Sequence, residues 1–270
     1  MTWTRWSSIR AVAAKDFTAV RRSKGVVLPM LIVPALLLIV LPFGVGMAAR
    51  NAGAPDVGGM LRSLPGGLAR PILRLPPRER LVTLVDGYLL APLFLIVPLM
   101  LAAVLAADAF AGEKERKSLE SLLHLPIPDR DLFVAKVLGA FVPAVMISWI
   151  GFLCFSVVVN VTAWPVAHHL IVPTRLWVVV IFWVAPAVAT LGLGVMVRVS
   201  ARATSTQEAN QLGGAVILPL IFLAVGQSTG LLLVTLPVAI AIGAVVWVVA
   251  LYLTARGARR FTRDRMASTI

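Results

Sequence analysis

Six stretches of this chain run with no charged residue or almost none: 26–49, 87–107, 137–161, 176–197, 211–225 and 231–253. A bilayer core about 30 Å thick is crossed by about 20 apolar residues in helical form. Lipid offers the backbone no partners, so each stretch must satisfy its own hydrogen bonds as an α-helix. The pattern predicts an all-α polytopic membrane protein with six transmembrane helices. Residues 209–255 carry no charge at all, too long a run for one span. The turn composition Gly226-Gln-Ser-Thr-Gly230 divides them into a helical hairpin whose first arm is the shortest span. Pro34, Pro92, Pro98, Pro143, Pro186, Pro219 and Pro237 interrupt the spans, so kinked helices are expected.

Outside the spans the pattern changes. Trp3, Trp6, Ile9, Ala13, Phe17 and Val20 fall in one sector of a helical wheel, with Arg5, Lys15, Asp16 and Arg22 off it and Arg10 and Arg21 at its edge. Such a stripe predicts an amphipathic interfacial helix over 1–24, anchored by Trp3, Trp6, Ile9 and Phe17. The segment 50–86 is rich in Gly, Pro and Arg, and its Leu61, Leu64, Leu68 and Leu73 suggest short interfacial pieces rather than a folded domain. Acids gather instead in 108–131, as Asp108, Glu113, Glu115, Glu120, Asp129 and Asp131.

Composition agrees with lipid as the main solvent. Apolar residues make up 59% and charged residues 14%, with a mean hydropathy of +0.93, against about 45–50% and about 25% in soluble domains. What remains is too little for a separate soluble catalytic domain. The net charge of +13 would suit nucleic acid only on a basic face of a soluble module, and none is visible. Basic residues beside spans record topology and contact with anionic lipid instead. With the N-terminus inside, 18 basic side chains lie in inner segments and seven outside. Both termini are therefore expected in the cytoplasm, with a basic tail over 256–270, and the chain in the cell membrane. Six arginines in 50–86 run against this reading and are outvoted.

Candidate chemistry is sparse. Cys154 is the only cysteine, which excludes an intrachain disulfide and a thiolate metal cluster. His168-His169 has no carboxylate or cysteine near it in sequence and reads as an interfacial polar edge rather than a metal site. No phosphate loop and no H-E-x-x-H occurs, so no catalytic residue and no metal site is expected. Polar residues in the spans are few: Ser148, Asn160, Thr190, Asn210, Gln211, Gln227 and Thr235, with Asp86 and Asp108 expected at span edges. Ion-coupled carriers place ionisable groups inside the membrane. This lining suits a hydrophobic or amphipathic passenger better than a bare ion.

The 108–131 loop carries the most information. Leu119, Leu122 and Leu123, with Pro126, trace one side of a short helix. Glu113, Lys114, Glu115, Arg116 and Lys117 are solvated. Ser118 is a plausible N-cap, and Glu120 and Ser121 suit the first turn. Pro126 and Pro128 stop the helix, and Asp129 and Asp131 start the next, which carries Lys136. The apolar side can settle on the lipid interface or dock in a groove of another protein, and composition does not separate the two.

Gly112, Glu113, Lys114, Glu115, Leu119, Glu120, Leu122, Leu123, Pro126, Ile127 and Lys136 resemble the signature of the ABC-2 type transporter permeases, close to GEKE-x-x-T-L-E-x-L-L-x-x-P-I with a later lysine. Ser118 stands where threonine is common, and Pro128 where a small polar residue is common. The resemblance extends to the plan of the chain: a connecting helix over 1–24, a six-helix domain over 25–255 and a closing hairpin. It implies that 112–124 is a coupling helix touching a separate nucleotide-binding ATPase. Gly112, Glu113, Lys114, Glu115, Arg116, Ser118, Leu119, Glu120, Leu122, Leu123, Pro126 and Lys136 become the coupling candidates, and 198–207 a weaker contact. It also implies a second permease copy, identical or related, and ATP and Mg²⁺ bound by the partner ATPase rather than by this chain. The chain would then be no enzyme but the permease of an exporter. Without the resemblance, an ATP-independent carrier or channel and a membrane scaffold recruiting a soluble partner stay open.

Overall fold

The computed structural model describes residues 24–51, 57–64, 66–115, 128–201, 203, 205–228 and 235–260. The expected interfacial helix with Trp3, Trp6, Ile9 and Phe17 lies outside them, as does the expected short helix of the signature. The described residues are mostly helical, with no strand among them. Six helices are long and apolar enough to cross a membrane: α1 (Met30–Arg50), α4 (Pro77–Gly112), α5 (Asp129–Ala167), α6 (Arg175–Ser200), α7 (Thr206–Gln227) and α8 (Leu236–Arg259). Two short helices, α2 (Gly58–Ser63) and α3 (Gly66–Leu73), lie between α1 and α4. Consecutive spans alternate in direction. The end at which α1 begins is called proximal here, and the other distal.

The prolines set the local geometry. Wide π turns occupy Leu36–Val40, Val85–Leu89 and Val180–Val184. Each contains the residue four before a proline: Leu38 before Pro42, Tyr88 before Pro92, Phe182 before Pro186. A proline has no N–H for that carbonyl and its ring crowds it, so the turn opens. Carbonyls in these turns find side-chain donors on neighbouring spans, as membrane helices require. Gln227 Nε2 donates to the Tyr88 carbonyl at 2.8 Å, Trp149 Nε1 to that of Ile181 at 3.2 Å, and Trp177 Nε1 to that of Asp86 at 3.1 Å. Before Pro219 in α7 the turn tightens instead, and Gly214–Ile217 is a 3₁₀ turn.

Gln227→Leu should therefore leave the Tyr88 carbonyl without its donor. A loss of about 1–2 kcal/mol is expected for a buried carbonyl so orphaned, read as a lower thermal midpoint in nanodiscs.

Lipid tails are as apolar as leucine, so spans associate by close packing of small residues rather than by the hydrophobic effect. α4 and α6 are buried over most of their length, whereas α1, α7 and α8 are buried over less than a quarter of theirs. At Gly46 of α1 a Cβ would collide with the Thr162 side chain of α5. At Gly192 of α6 it would come within 3.0 Å of the Leu99 carbonyl oxygen, and at Gly194 within 2.9 Å of Leu253 Cβ. These crossings are as tight as the backbone allows.

The described part of the segment between α1 and α4 is built of short helices. Leu61, Leu64, Ala69, Ile72 and Leu84 form a small apolar cluster of their own, uniting α2 and α3 with the first turns of α4. Arg80 closes α3 by donating from Nε to the Leu75 carbonyl at 2.8 Å and from Nη2 to that of Leu73 at 2.9 Å. α4 begins at Pro77, ten residues before the apolar run, because Pro77 suits the first helical position and Glu79 the first turn. Asp86, expected at a span edge, is consequently one of its fully buried residues. Across the bundle, Arg50 donates to the carbonyls of Thr162 and Val161 at 2.8 and 2.9 Å, tying α1 to α5.

Candidate functional site

The proximal end collects most of the described signature residues. α4 stays helical through Gly112, which is buried, to Glu115. α5 restarts at Asp129, with Asp129 and Asp131 in its first turn, where carboxylates favour the helix dipole. Two turns on, Lys136 is only 2% exposed. Its Nζ donates to the Ala109 carbonyl at 2.6 Å and stands 5.5 Å from the centre of the Phe110 ring. The Phe110 ring lies 6.0 Å from that of Phe133. A buried ammonium is tolerated only where such partners replace water. Lys136 thus binds the two helices that flank residues 116–127, the basal pin of the signature loop.

Glu115 reaches elsewhere. Its side chain is exposed, and Oε2 accepts from the Thr206 amide at 3.0 Å and from Thr206 Oγ1 at 2.9 Å. Thr206 opens α7, whose first amides have no partner within the helix. Ser205 satisfies one by accepting from the Glu208 amide at 3.1 Å, and Glu115 satisfies another from 91 positions away in sequence. A carboxylate suits this helix end both as acceptor and by charge. Sequence reasoning gave 198–207 the role of a weaker contact and named no partner for Glu115. The Ser205-x-x-Glu208 spacing was the available signal for the helix start, but nothing local pointed to Glu115.

Farther along α7, a Cβ at Gly213 would strike Met196 of α6, and the 3₁₀ turn follows at Gly214. A cavity of about 270 Å³ opens between α4 (Leu99, Met100, Ala103, Val104), α6 (Met196) and α7 (Asn210, Gly213, Gly214, Val216, Ile217). Apart from Asn210 its side chains are apolar.

Of the expected coupling residues, Gly112, Glu115 and Lys136 are placed. Glu113 and Lys114 lie on the helical end of α4, and nothing is described of their side chains. Arg116, Ser118, Leu119, Glu120, Leu122, Leu123 and Pro126 lie outside the described residues. A family model described as ABC-2 family transporter protein matches residues 10–240. The chain belongs to the ABC-2 transporter family. No curated protein matches it. This ABC-2 permease is a multi-pass membrane component of an ABC transporter, and the family implies an ABC ATPase subunit as its partner.

Proposed function

We propose that this ABC-2 permease forms, with a second permease copy, the path of an ATP-driven exporter in the plasma membrane, its proximal end and both termini in the cytoplasm. The observation that supports it best is the Glu115–Thr206 contact. Closure of the partner ATPases, which hold ATP and Mg²⁺, presses on 112–124. α4 receives the push at Gly112 and passes it through Glu115 to the start of α7. Lys136 keeps α5 moving with α4. The 3₁₀ turn at Gly214–Ile217 lets the first turns of α7 swing against the rest. The apolar cavity beside that turn holds part of a hydrophobic or amphipathic passenger.

The test is charge reversal at two acids of 112–124. Glu113→Lys with Glu120→Lys should lower permease-stimulated ATP hydrolysis by the reconstituted complex at least tenfold, with membrane insertion intact. Wild-type stimulation in that variant would rule out 112–124 as the coupling element. Transport by the purified permease alone, driven by an ion gradient, would replace the exporter with a secondary carrier.

A further inference from the structure

The cavity between α4, α6 and α7 has a single polar side chain on its wall, and that side chain is unsatisfied. Asn210 is half-buried, and its carboxamide makes no hydrogen bond within the described residues. No charged residue lines the space, and the rest of the wall is aliphatic or thioether. Thr206, Asn210 and Gly213 follow one another at helical turns of α7 and so share one side. That side begins at the residue that holds Glu115 of α4.

The two glycines of the wall differ in what they do. At Gly213 a Cβ would strike the Met196 side chain, so close packing of α7 on α6 requires glycine there. Gly214 lines the same cavity, yet a Cβ on it would meet no atom within 4 Å. Its φ of −59° and ψ of −29° suit any residue. Neither packing nor backbone conformation calls for glycine at 214, and the effect of the missing side chain is to leave the space open.

Size and polarity then define what fits. An apolar cavity of about 150 Å³ takes benzene, so one of about 270 Å³ takes two fused rings with a small substituent. The thioethers of Met100 and Met196 adapt to the outline of such a group. The Asn210 carboxamide offers an acceptor and two donors in one plane. A lactam answers both functions at once, its N–H donating to Oδ1 and its carbonyl accepting from Nδ2. A charged group would lose its water here and find no counter-charge on the wall.

We propose that Asn210 is the recognition residue of a site for neutral bicyclic compounds with a lactam or amide edge, seated between Met100 of α4, Met196 of α6 and Gly214 of α7. The site deepens the proposed export function by naming the class of passenger, and it rests on that reading for transport but not for binding. Asn210 belongs to the first turns of α7, the part that swings in that scheme, so each stroke draws the carboxamide away from its ligand.

The test uses the full-length permease in nanodiscs without any ATPase, so that it is independent of coupling. Binding is followed by ligand-observed NMR, with the signal of empty nanodiscs of the same lipid subtracted. The probes are quinolin-2-one, which carries a lactam edge, naphthalene, of like shape without it, and 2-naphthoate, of like shape with a charge. Saturable binding of quinolin-2-one is expected, weakened at least fivefold by Asn210→Leu, which should bind naphthalene as well as the wild type does or better. 2-Naphthoate should not bind saturably. Gly214→Leu should fill the cavity and abolish binding of both neutral probes, with a thermal midpoint at or above that of the wild type. No saturable binding of quinolin-2-one to the wild type would leave Asn210 to water alone and overturn the proposal. So would wild-type affinity in Asn210→Leu, equal binding of 2-naphthoate, or undiminished binding in Gly214→Leu. Asn210-dependent binding without export of quinolin-2-one by the complete transporter would count against the exporter reading alone.

Discussion

Glu115→Ala should lower permease-stimulated ATP hydrolysis at least tenfold while costing little stability. Glu115 is exposed, and a carboxylate at a helix start is worth about 1 kcal/mol. In a chain of this size that amounts to about 2–4 °C in thermal midpoint. Coupling suffers far more, because Glu115 ties the end of α4 to the first residue of α7. Thr206→Pro makes the idea specific. Proline is well suited to the first helical position, and Ser205 before it is already extended, with φ −137° and ψ 161°, as a residue preceding proline must be. The substitution therefore spares α7 yet removes the two donors that Thr206 offers Glu115. It should reproduce the Glu115→Ala defect, and the double variant should be no worse than either single one. Full activity in Thr206→Pro beside a failed Glu115→Ala would assign Glu115 to the ATPase surface instead.

Gly46→Leu should be the most destabilising single change in the bundle. Thr162 cannot give way, since its Oγ1 donates to the Val158 carbonyl at 2.7 Å and its own carbonyl accepts from Arg50 at 2.8 Å. Overpacking of this kind costs about 3 kcal/mol, and the thermal midpoint should fall by about 6–10 °C. Removing the obstacle by Thr162→Ala in a Gly46→Ala background should recover most of the smaller loss caused by Gly46→Ala alone. A neutral Gly46→Ala would show that α1 does not depend on this crossing.

The six spans were legible because length and absence of charge are sufficient conditions for a membrane helix. Their ends were less so. Arg78-Glu79-Arg80 reads as loop by polarity, and only Pro77 with Glu79 signalled that α4 begins there. The prolines were visible as interruptions, but whether each one kinks, widens or tightens its turn depends on neighbouring donors such as Gln227 and Trp149. Of the site, the signature was legible as text and Lys136 as a matching position. Its burial against Ala109, and the reach of Glu115 to Thr206, depend on contacts between distant parts of the chain that no local pattern encodes. The burial of Asp86 was hidden for the same reason: an aspartate ahead of an apolar run gives no sign of it until Trp177 of α6 holds its carbonyl.

The wide turn at Val85–Leu89 has a mechanical meaning. It stores one residue beyond what an ordinary α turn would hold. Were that residue passed back into regular α geometry, the helix beyond it would turn by about 100° and lengthen by about 1.5 Å. α4 therefore has a built-in gear step at the level of Asp86. Such a step would swing a carboxylate from one neighbouring span to another while the rest of the bundle keeps its place.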